Sequence, residues 1–205
     1  MMAPQLTLIL GGARSGKSTF ASRLAAKHTG RVIFVATATI LDEEMGRRIE
    51  KHRSERPADW LTVEAPSHLA EAVRHRLSAG DLVLVDCLTL MVFNLIVELA
   101  GDQLDEAVYD EAALQSALQA ELTELVRLCR QAGASLIVVS NEVGLGLVPP
   151  YPLGRGYRDT LGYANQLLAG MAERVYFLVA GLPVELKALA AALAQAELDN
   201  EEAGD

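Results

Sequence analysis

The sequence predicts an α/β protein built on a mostly parallel sheet with helices on both faces, and three observations carry that prediction. Short runs that are apolar throughout, LTLIL (Leu6 to Leu10), VIFVA (Val32 to Ala36), LVLVD (Leu82 to Asp86) and LIVVS (Leu136 to Ser140), alternate with helical segments. Strands without a polar side are covered on both faces, as in a parallel sheet between helical layers. The first run stops at G-x-x-x-x-G-K-S, Gly11 to Ser18, and a helical segment with Phe20, Leu24 and several alanines follows at once. That strand–loop–helix context is the one a phosphate-binding loop requires. The last two strand candidates, VYFLVA (Val175 to Ala180) and VELK (Val184 to Lys187), flank Gly181-Leu182-Pro183, a tight reversal that makes the final strand an antiparallel edge.

Composition bounds the rest. A chain of 205 residues, 51% of them apolar, can bury one sizeable core. With no internal repeat and no linker, residues 1–187 read as a single nucleotide-binding domain. Residues 188–205 read as an acidic C-terminal extension, a solvated tail in which Glu197, Asp199, Glu201, Glu202 and Asp205 crowd the end. A net charge of -9 argues against a nucleic-acid or anionic-membrane partner. Cys87 and Cys129 are isolated in apolar segments, without zinc-ligand or disulfide spacing, and read as reduced residues of a cytoplasmic protein. Met1 to Leu10 lacks a basic start, so no secretory signal is expected. The most apolar helix candidate, Leu88 to Leu99, carries Asn94 and Glu98 and is too short for stable membrane insertion. It reads as a core or subunit-interface helix.

The elements follow in order. His28-Thr29-Gly30 reads as the cap of the first helix, with Gly30 in a left-handed turn and His28 near the negative end of the dipole. Asp42 to Arg53 places acids in its first turn and bases toward its end, as a helix prefers, and Met45, Ile49 and His52 share one face. RSERPADW is a polar turn leading to a strand at Trp60 to Glu64. Pro66-Ser67 opens a helix through Leu77, ended by Ala79-Gly80-Asp81. After the apolar helix comes an acidic connector, Gly101 to Glu111, then a long amphipathic helix from Ala112 to Gln131 that Gly133 stops. The Gly- and Pro-rich stretch Asn141 to Gly156 is long for a structureless connection, which favours a functional role. A helix from Arg158 to Ala172 precedes the last two strands.

Gly11 and Gly16 let the loop curl its amides toward phosphate oxygens. Lys17 reaches the outer phosphates, Ser18 offers a hydroxyl to Mg²⁺, and the helix N-terminus adds its dipole. Ligands of an open parallel sheet bind beyond the carboxyl ends of its strands, which adds Thr37-Ala38-Thr39, Glu64, Asp86 and Ser140-Asn141-Glu142. Asp86 either holds Mg²⁺ or caps the following helix; Glu142 has the same two readings. On spacing alone His52 is a packed, hydrogen-bonded histidine. The competing reading is a nucleophile at phosphorus, with Arg53 and Arg56 neutralising phosphate charge. His68 and His75 read as surface residues.

Taken together, GGARSGKS, FVATATILDEEM, RRIEKHRSERPADW, LVLVDCLTLMVFNL, VSNEVGLGLVP and VAGLPVELK resemble, in order and spacing, the bifunctional adenosylcobinamide kinase / adenosylcobinamide-phosphate guanylyltransferase family of cobalamin biosynthesis. The resemblance runs from about Leu8 to Lys187, where the family usually ends. It implies a RecA-like P-loop NTPase fold, a homotrimer, and a histidine, here His52, that becomes guanylylated, with Lys17 as the second catalytic residue. The nucleotide contacts it implies are Gly11, Gly12, Ala13, Arg14, Ser15, Gly16, Lys17, Ser18, Ala36, Thr37, Ala38, Arg53, Ser54, Glu55, Arg56, Glu64 and Asp86. Mg²⁺ would sit on Ser18 and Asp86, directly or through water; the family often has Glu where this chain has the shorter Asp86. The implied substrates are ATP and GTP, adenosylcobinamide and adenosylcobinamide phosphate. The alternatives are a simple small-molecule kinase without a covalent intermediate, and a non-catalytic nucleotide-dependent switch.

Overall fold

Alternate residues of an extended chain face opposite ways, and in the apolar runs both sets need cover. The computed structural model describes residues 4–39, 43–54, 56–101 and 110–202. Its elements are β1 (Leu6–Gly11), α1 (Lys17–Ala25), β2 (Val32–Ala36), α2 (Glu43–Ser54), β3 (Leu61–Glu64), α3 (Leu69–Arg74), β4 (Leu82–Asp86), α4 (Leu88–Ala100), α5 (Glu111–Ala132), β5 (Ser135–Val139), α6 (Pro152–Met171), β6 (Arg174–Val179), β7 (Leu182–Glu185) and α7 (Leu186–Glu202). The strands form a seven-stranded sheet in the order β3-β2-β4-β5-β1-β6-β7. Its neighbours are parallel except β6 and β7, which pair antiparallel with Tyr176 opposite Glu185.

Helices cover both faces, as expected. Ile9, Phe34, Leu84, Ile137 and Val139 close over Phe20, Ala21 and Ala25 of α1. The intervening Leu8, Leu10, Ile33, Val35, Val83, Val85 and Val138 pack with the apolar sides of α3, α4, α5 and α6. Leu88, Met91, Val92, Leu95 and Ile96 of α4 are buried within the chain, so the most apolar helix belongs to its core. Asp110 caps α5, accepting from Ala112 N at 2.9 Å and Ala113 N at 3.1 Å. Gly133, left-handed at φ 72, ends it, the role expected of it.

Several expectations are corrected. Gly30 is not among the residues with positive φ. A Cβ there would lie 2.0 Å from the Gly80 carbonyl oxygen, so this glycine is required by close approach rather than by handedness. His28 Nε2 hydrogen-bonds the same oxygen at 2.8 Å, and Gly80 N donates to Gly133 O at 3.0 Å, tying together the loops that enter β2, β4 and β5. The last reversal is made by Ala180 (φ 51) and Gly181 (φ 81), two positive-φ residues as a primed hairpin turn requires; Leu182 and Pro183 already belong to β7.

α3 begins later than Pro66-Ser67. Its Ala70 amide donates to Glu121 of α5 at 2.8 Å, while the Ser67 hydroxyl bonds Glu98 of α4 at 3.1 Å. α6 begins earlier than Arg158, with Pro152 in its first turn, where the missing N–H costs nothing. Gly154 follows because a Cβ there would be 2.5 Å from the Tyr151 ring. The extension after Lys187 continues as α7, with Leu189 and Leu193 47% and 58% exposed. Residues 102–109 of the acidic connector, Asp42 at the start of the second helix, and Asp205 lie outside the described residues. No helix among the described residues is long and apolar enough to cross a membrane.

Candidate active site

The β1–α1 loop owes its shape to two glycines. Gly16 is left-handed (φ 92), and a Cβ on Gly11 would lie 2.6 Å from the Leu178 carbonyl oxygen, so neither position accepts a side chain. Lys17 is 8% exposed. Its Nζ donates to Gly12 O at 2.6 Å and lies 3.4 Å from Ser15 Oγ. Burial lowers its pKa, against the opposing pull of Cys87 and Asp86. The loop is braced from the far end of the chain, where Gly181 N donates to Ser15 O at 3.0 Å. Nothing local in the sequence announces this contact between the last hairpin and the phosphate loop.

Asp86 ends β4 two strands from β1, with β5 between them. Burial raises its pKa; the Ser18 hydroxyl hydrogen-bonded to it, followed by the charges of His52, Lys17 and Arg56, pulls the other way. A hydroxyl and a carboxylate in contact at the start of a helix are hard oxygen donors of the kind Mg²⁺ takes, with phosphate and water completing its shell. The chemistry of this donor pair fits the ion, and among the described residues no group of three His, Cys, Asp or Glu forms a self-sufficient metal cage. Thr37, fully buried, fixes the strand end: its hydroxyl donates to Cys87 O at 2.7 Å and accepts from Cys87 N at 2.8 Å. The Cys87 thiol is pushed up to about 11 by burial, which favours the thiol over the nucleophilic thiolate.

His52 lies in the last turn of α2 and is exposed, while Met45 and Ile49 on the same face are half-buried. It therefore departs from the packed reading. With Ser18, Thr19, Ser22, Phe34, Arg56 and Asp86 it lines a pocket of about 200 Å³. The Arg56 guanidinium sits 3.6 Å from the centroid of Phe34 and donates to Thr62 Oγ1 at 2.7 Å; burial lowers its pKa. Phe34 in turn stacks on Trp60 at 6.3 Å, so aromatic rings and one hydroxyl hold a cation in a fixed place.

Other expected residues fall around this centre or away from it. Arg53 and Glu64 face each other at 4.0 Å on the surface, Ser54 ends α2 and is exposed, and Glu55 lies outside the described residues. Gly12, Ala13 and Arg14 form the exposed turn of the phosphate loop, Arg14 at φ 55. Ala36 O accepts from Ala65 N at 2.9 Å, and Asn94 Nδ2 donates to Thr37 O at 2.9 Å and Pro66 O at 3.0 Å; Ala38 follows, half-buried. Glu142 is not in the pocket. Its amide donates to Gly11 O at 3.1 Å and its Oε1 accepts from Gly144 N at 2.7 Å.

A phosphate loop, a hydroxyl–carboxylate pair and an exposed histidine with an adjoining arginine suit transfer from a nucleoside triphosphate. Comparison with known proteins agrees. The family model described as cobinamide kinase / cobinamide phosphate guanyltransferase matches residues 7–186. The bifunctional adenosylcobalamin biosynthesis protein CobU of Escherichia coli K12 is 41% identical over 182 residues, covering 89% of this chain and 99% of the relative. The protein of the same name from Salmonella typhimurium LT2 is 40% identical over 182 residues, with the same coverage. The bifunctional adenosylcobalamin biosynthesis protein CobP of Pseudomonas aeruginosa PAO1 is 46% identical over 180 residues, covering 88% of this chain and 96% of the relative. By matched length and identity, the chain belongs to the cobinamide kinase / cobinamide phosphate guanyltransferase family of P-loop enzymes.

Proposed function

We propose that the chain phosphorylates adenosylcobinamide with ATP or GTP and then transfers GMP from GTP, through a guanylyl-His52 intermediate, to give adenosyl-GDP-cobinamide. The carrying observation is that His52 lines the same pocket as Ser18, Arg56 and Asp86, beside the phosphate loop. In the first reaction the loop amides and Lys17 hold the triphosphate while the aminopropanol hydroxyl attacks the γ-phosphorus. The acceptor O–P bond forms as the hydroxyl proton passes to water, the bridge to the β-phosphate breaks, and the nucleoside diphosphate leaves. In the second, a neutral imidazole nitrogen of His52 attacks the α-phosphorus of GTP. The N–P bond forms as pyrophosphate leaves; a phosphate oxygen of adenosylcobinamide phosphate then attacks the same phosphorus and frees the imidazole.

Lys17 and Arg56 face the charge that develops on the phosphoryl oxygens, and the Arg56–Phe34 contact keeps that cation from swinging into solvent. Mg²⁺ on Ser18 and Asp86 would supply further neutralisation of the triphosphate. The reading includes a cytoplasmic homotrimer. Two free cysteines suit a reducing compartment, and the exposed Val179, Leu182 and Val184 along the β6–β7 edge suit contact between protomers.

The test is incubation with GTP labelled at the α-phosphate, followed by denaturation. Label retained on the polypeptide is the expected result. Phosphorylation of cobinamide with no retained label under any GTP and Mg²⁺ condition would leave a simple kinase, and neither activity would leave a nucleotide switch.

A further inference from the structure

β5 runs between β1, which leads into the phosphate loop, and β4, which ends at Asp86. The residues that leave β5 at its carboxyl end therefore stand between the loop and the carboxylate, where ligands of such a sheet bind. They are Ser140, Asn141 and Glu142. Strand pairing continues through them. Ile9 is level with Val139; beyond it Ser140 N donates to Ile9 O at 2.9 Å and Glu142 N to Gly11 O at 3.1 Å, the two-residue step of a parallel ladder.

Side chains along that ladder alternate between the two faces of the sheet. Ile137 and Val139 belong to the cluster under α1, whereas Glu142 joins Leu10 on the opposite face, along α6. Asn141 thus falls on the α1 face. Asp86 shares that face: it is level with Val139 and bonded by the Ser18 hydroxyl of α1. Lys17 Nζ bridges the gap above β5, bonded to Gly12 O on one side and within electrostatic reach of Asp86 on the other.

Asn141 is held by its main chain. Its N–H donates to Thr89 Oγ1 at 3.0 Å and its carbonyl accepts from Asn165 Nδ2 at 3.0 Å. Its side-chain amide is half-buried and makes no hydrogen bond to another described residue. A neutral amide has two N–H groups to offer an anion, where the neighbouring Asp86 carboxylate would repel one. The loop's own amides close around the inner phosphates, so a donor on the next strand meets the phosphate that projects beyond them. We propose that Asn141 contacts the transferred phosphate, its Nδ2 donating to a γ-phosphoryl oxygen beside Lys17, so that the site holds a nucleoside triphosphate more tightly than the diphosphate product. The proposal rests on the phosphoryl transfer of the function proposed above.

Because the bonds that fix Asn141 are made by its main chain, Asn141→Ala removes the amide and leaves them in place. The experiment titrates the full-length parent, Asn141→Ala and the isosteric Asn141→Asp with the β,γ-imido analogue of GTP and with GDP, both with Mg²⁺, and checks folding by thermal melting. Expected in Asn141→Ala is a loss of about tenfold in affinity for the triphosphate analogue, with GDP affinity within about twofold of the parent. Asn141→Asp, which sets a like charge beside the γ-phosphate, should lose the analogue at least as strongly and lose GDP less; it decides the matter if Asn141→Ala does not fold. An equal loss for both nucleotides would mean that Asn141 only shapes the loop, and would overturn the proposal. Parent-like affinity for the analogue would overturn it too. A parent that shows the split on mutation yet neither phosphorylates cobinamide nor retains α-label would overturn the function proposed above and leave the γ-phosphate contact standing.

Discussion

Lys17 Nζ donates to the Gly12 carbonyl at 2.6 Å, so the ammonium is folded back across the curl of its own loop. That position presents a cation at the centre of the loop, where phosphate oxygens would compete with a carbonyl for it. Lys17→Ala is expected to weaken ATP and GTP binding by roughly 10- to 100-fold, the loss of a charge-assisted hydrogen bond worth about 1.5–3 kcal/mol. Calorimetric titration measures it, and nucleotide affinity equal to the parent's would remove Lys17 from the site.

His52 separates the two proposed reactions, because only nucleotide transfer through the protein needs a nucleophile. His52→Ala should lose retention of α-label and formation of the GDP-linked product while keeping phosphorylation of cobinamide within about tenfold. An N–P bond to imidazole is labile to acid and comparatively stable to alkali, so the adduct should follow that pattern. An acid-stable adduct, or one still formed by His52→Ala, would move the covalent site elsewhere.

Asp86 trades stability for chemistry. Burial holds its carboxyl above the ordinary value of 3.8. A group whose folded pKa is raised favours the fold in its protonated form. Its ionisation therefore weakens the empty protein as pH rises from its unfolded pKa to its folded one, and above that the loss is complete. At pH 7 without nucleotide, Asp86→Asn should melt at or above the parent while losing Mg²⁺-dependent phosphoryl transfer, and the difference in melting temperature should close below the unfolded pKa. A clearly lower melting temperature at pH 7 would mean that attraction to His52, Lys17 and Arg56 outweighs burial.

Gly30→Ala should destabilise by about 1–3 kcal/mol, as overpacking does, because its Cβ would meet the Gly80 carbonyl at 2.0 Å. Denaturant unfolding measures this, and a parent-like midpoint would show that the β2 and β4 entry loops separate easily.

Truncation after Lys187 should leave the melting temperature nearly unchanged. Leu186 and the contact of Lys187 Nζ with Ala172 O are retained, whereas Leu189 and Leu193 are largely exposed. A large drop in melting temperature would show that these leucines dock in the assembled protein.

The sequence alone determined what depends on a few neighbouring residues. VIFVA and LVLVD coincide with β2 and β4 because strands buried on both faces are apolar throughout, which leaves their extent unambiguous. The phosphate loop was legible because Gly16 supplies its left-handed turn locally, although Gly11 is also required by the distant Leu178 carbonyl; the end of α5 was legible because Gly133 caps it locally. Other features belong to contacts between segments far apart in the chain. Gly30 looked like a cap until folding brought the Gly80 carbonyl against it. α3 starts where Glu121 of another helix meets its amide, and Gly181 supports the phosphate loop from the last hairpin. His52 sits at an apolar spacing in its helix, yet it is exposed and borders a pocket with Ser18 and Asp86. Periodicity reports which way a side chain points from its own helix; only the tertiary structure decides what stands in front of it.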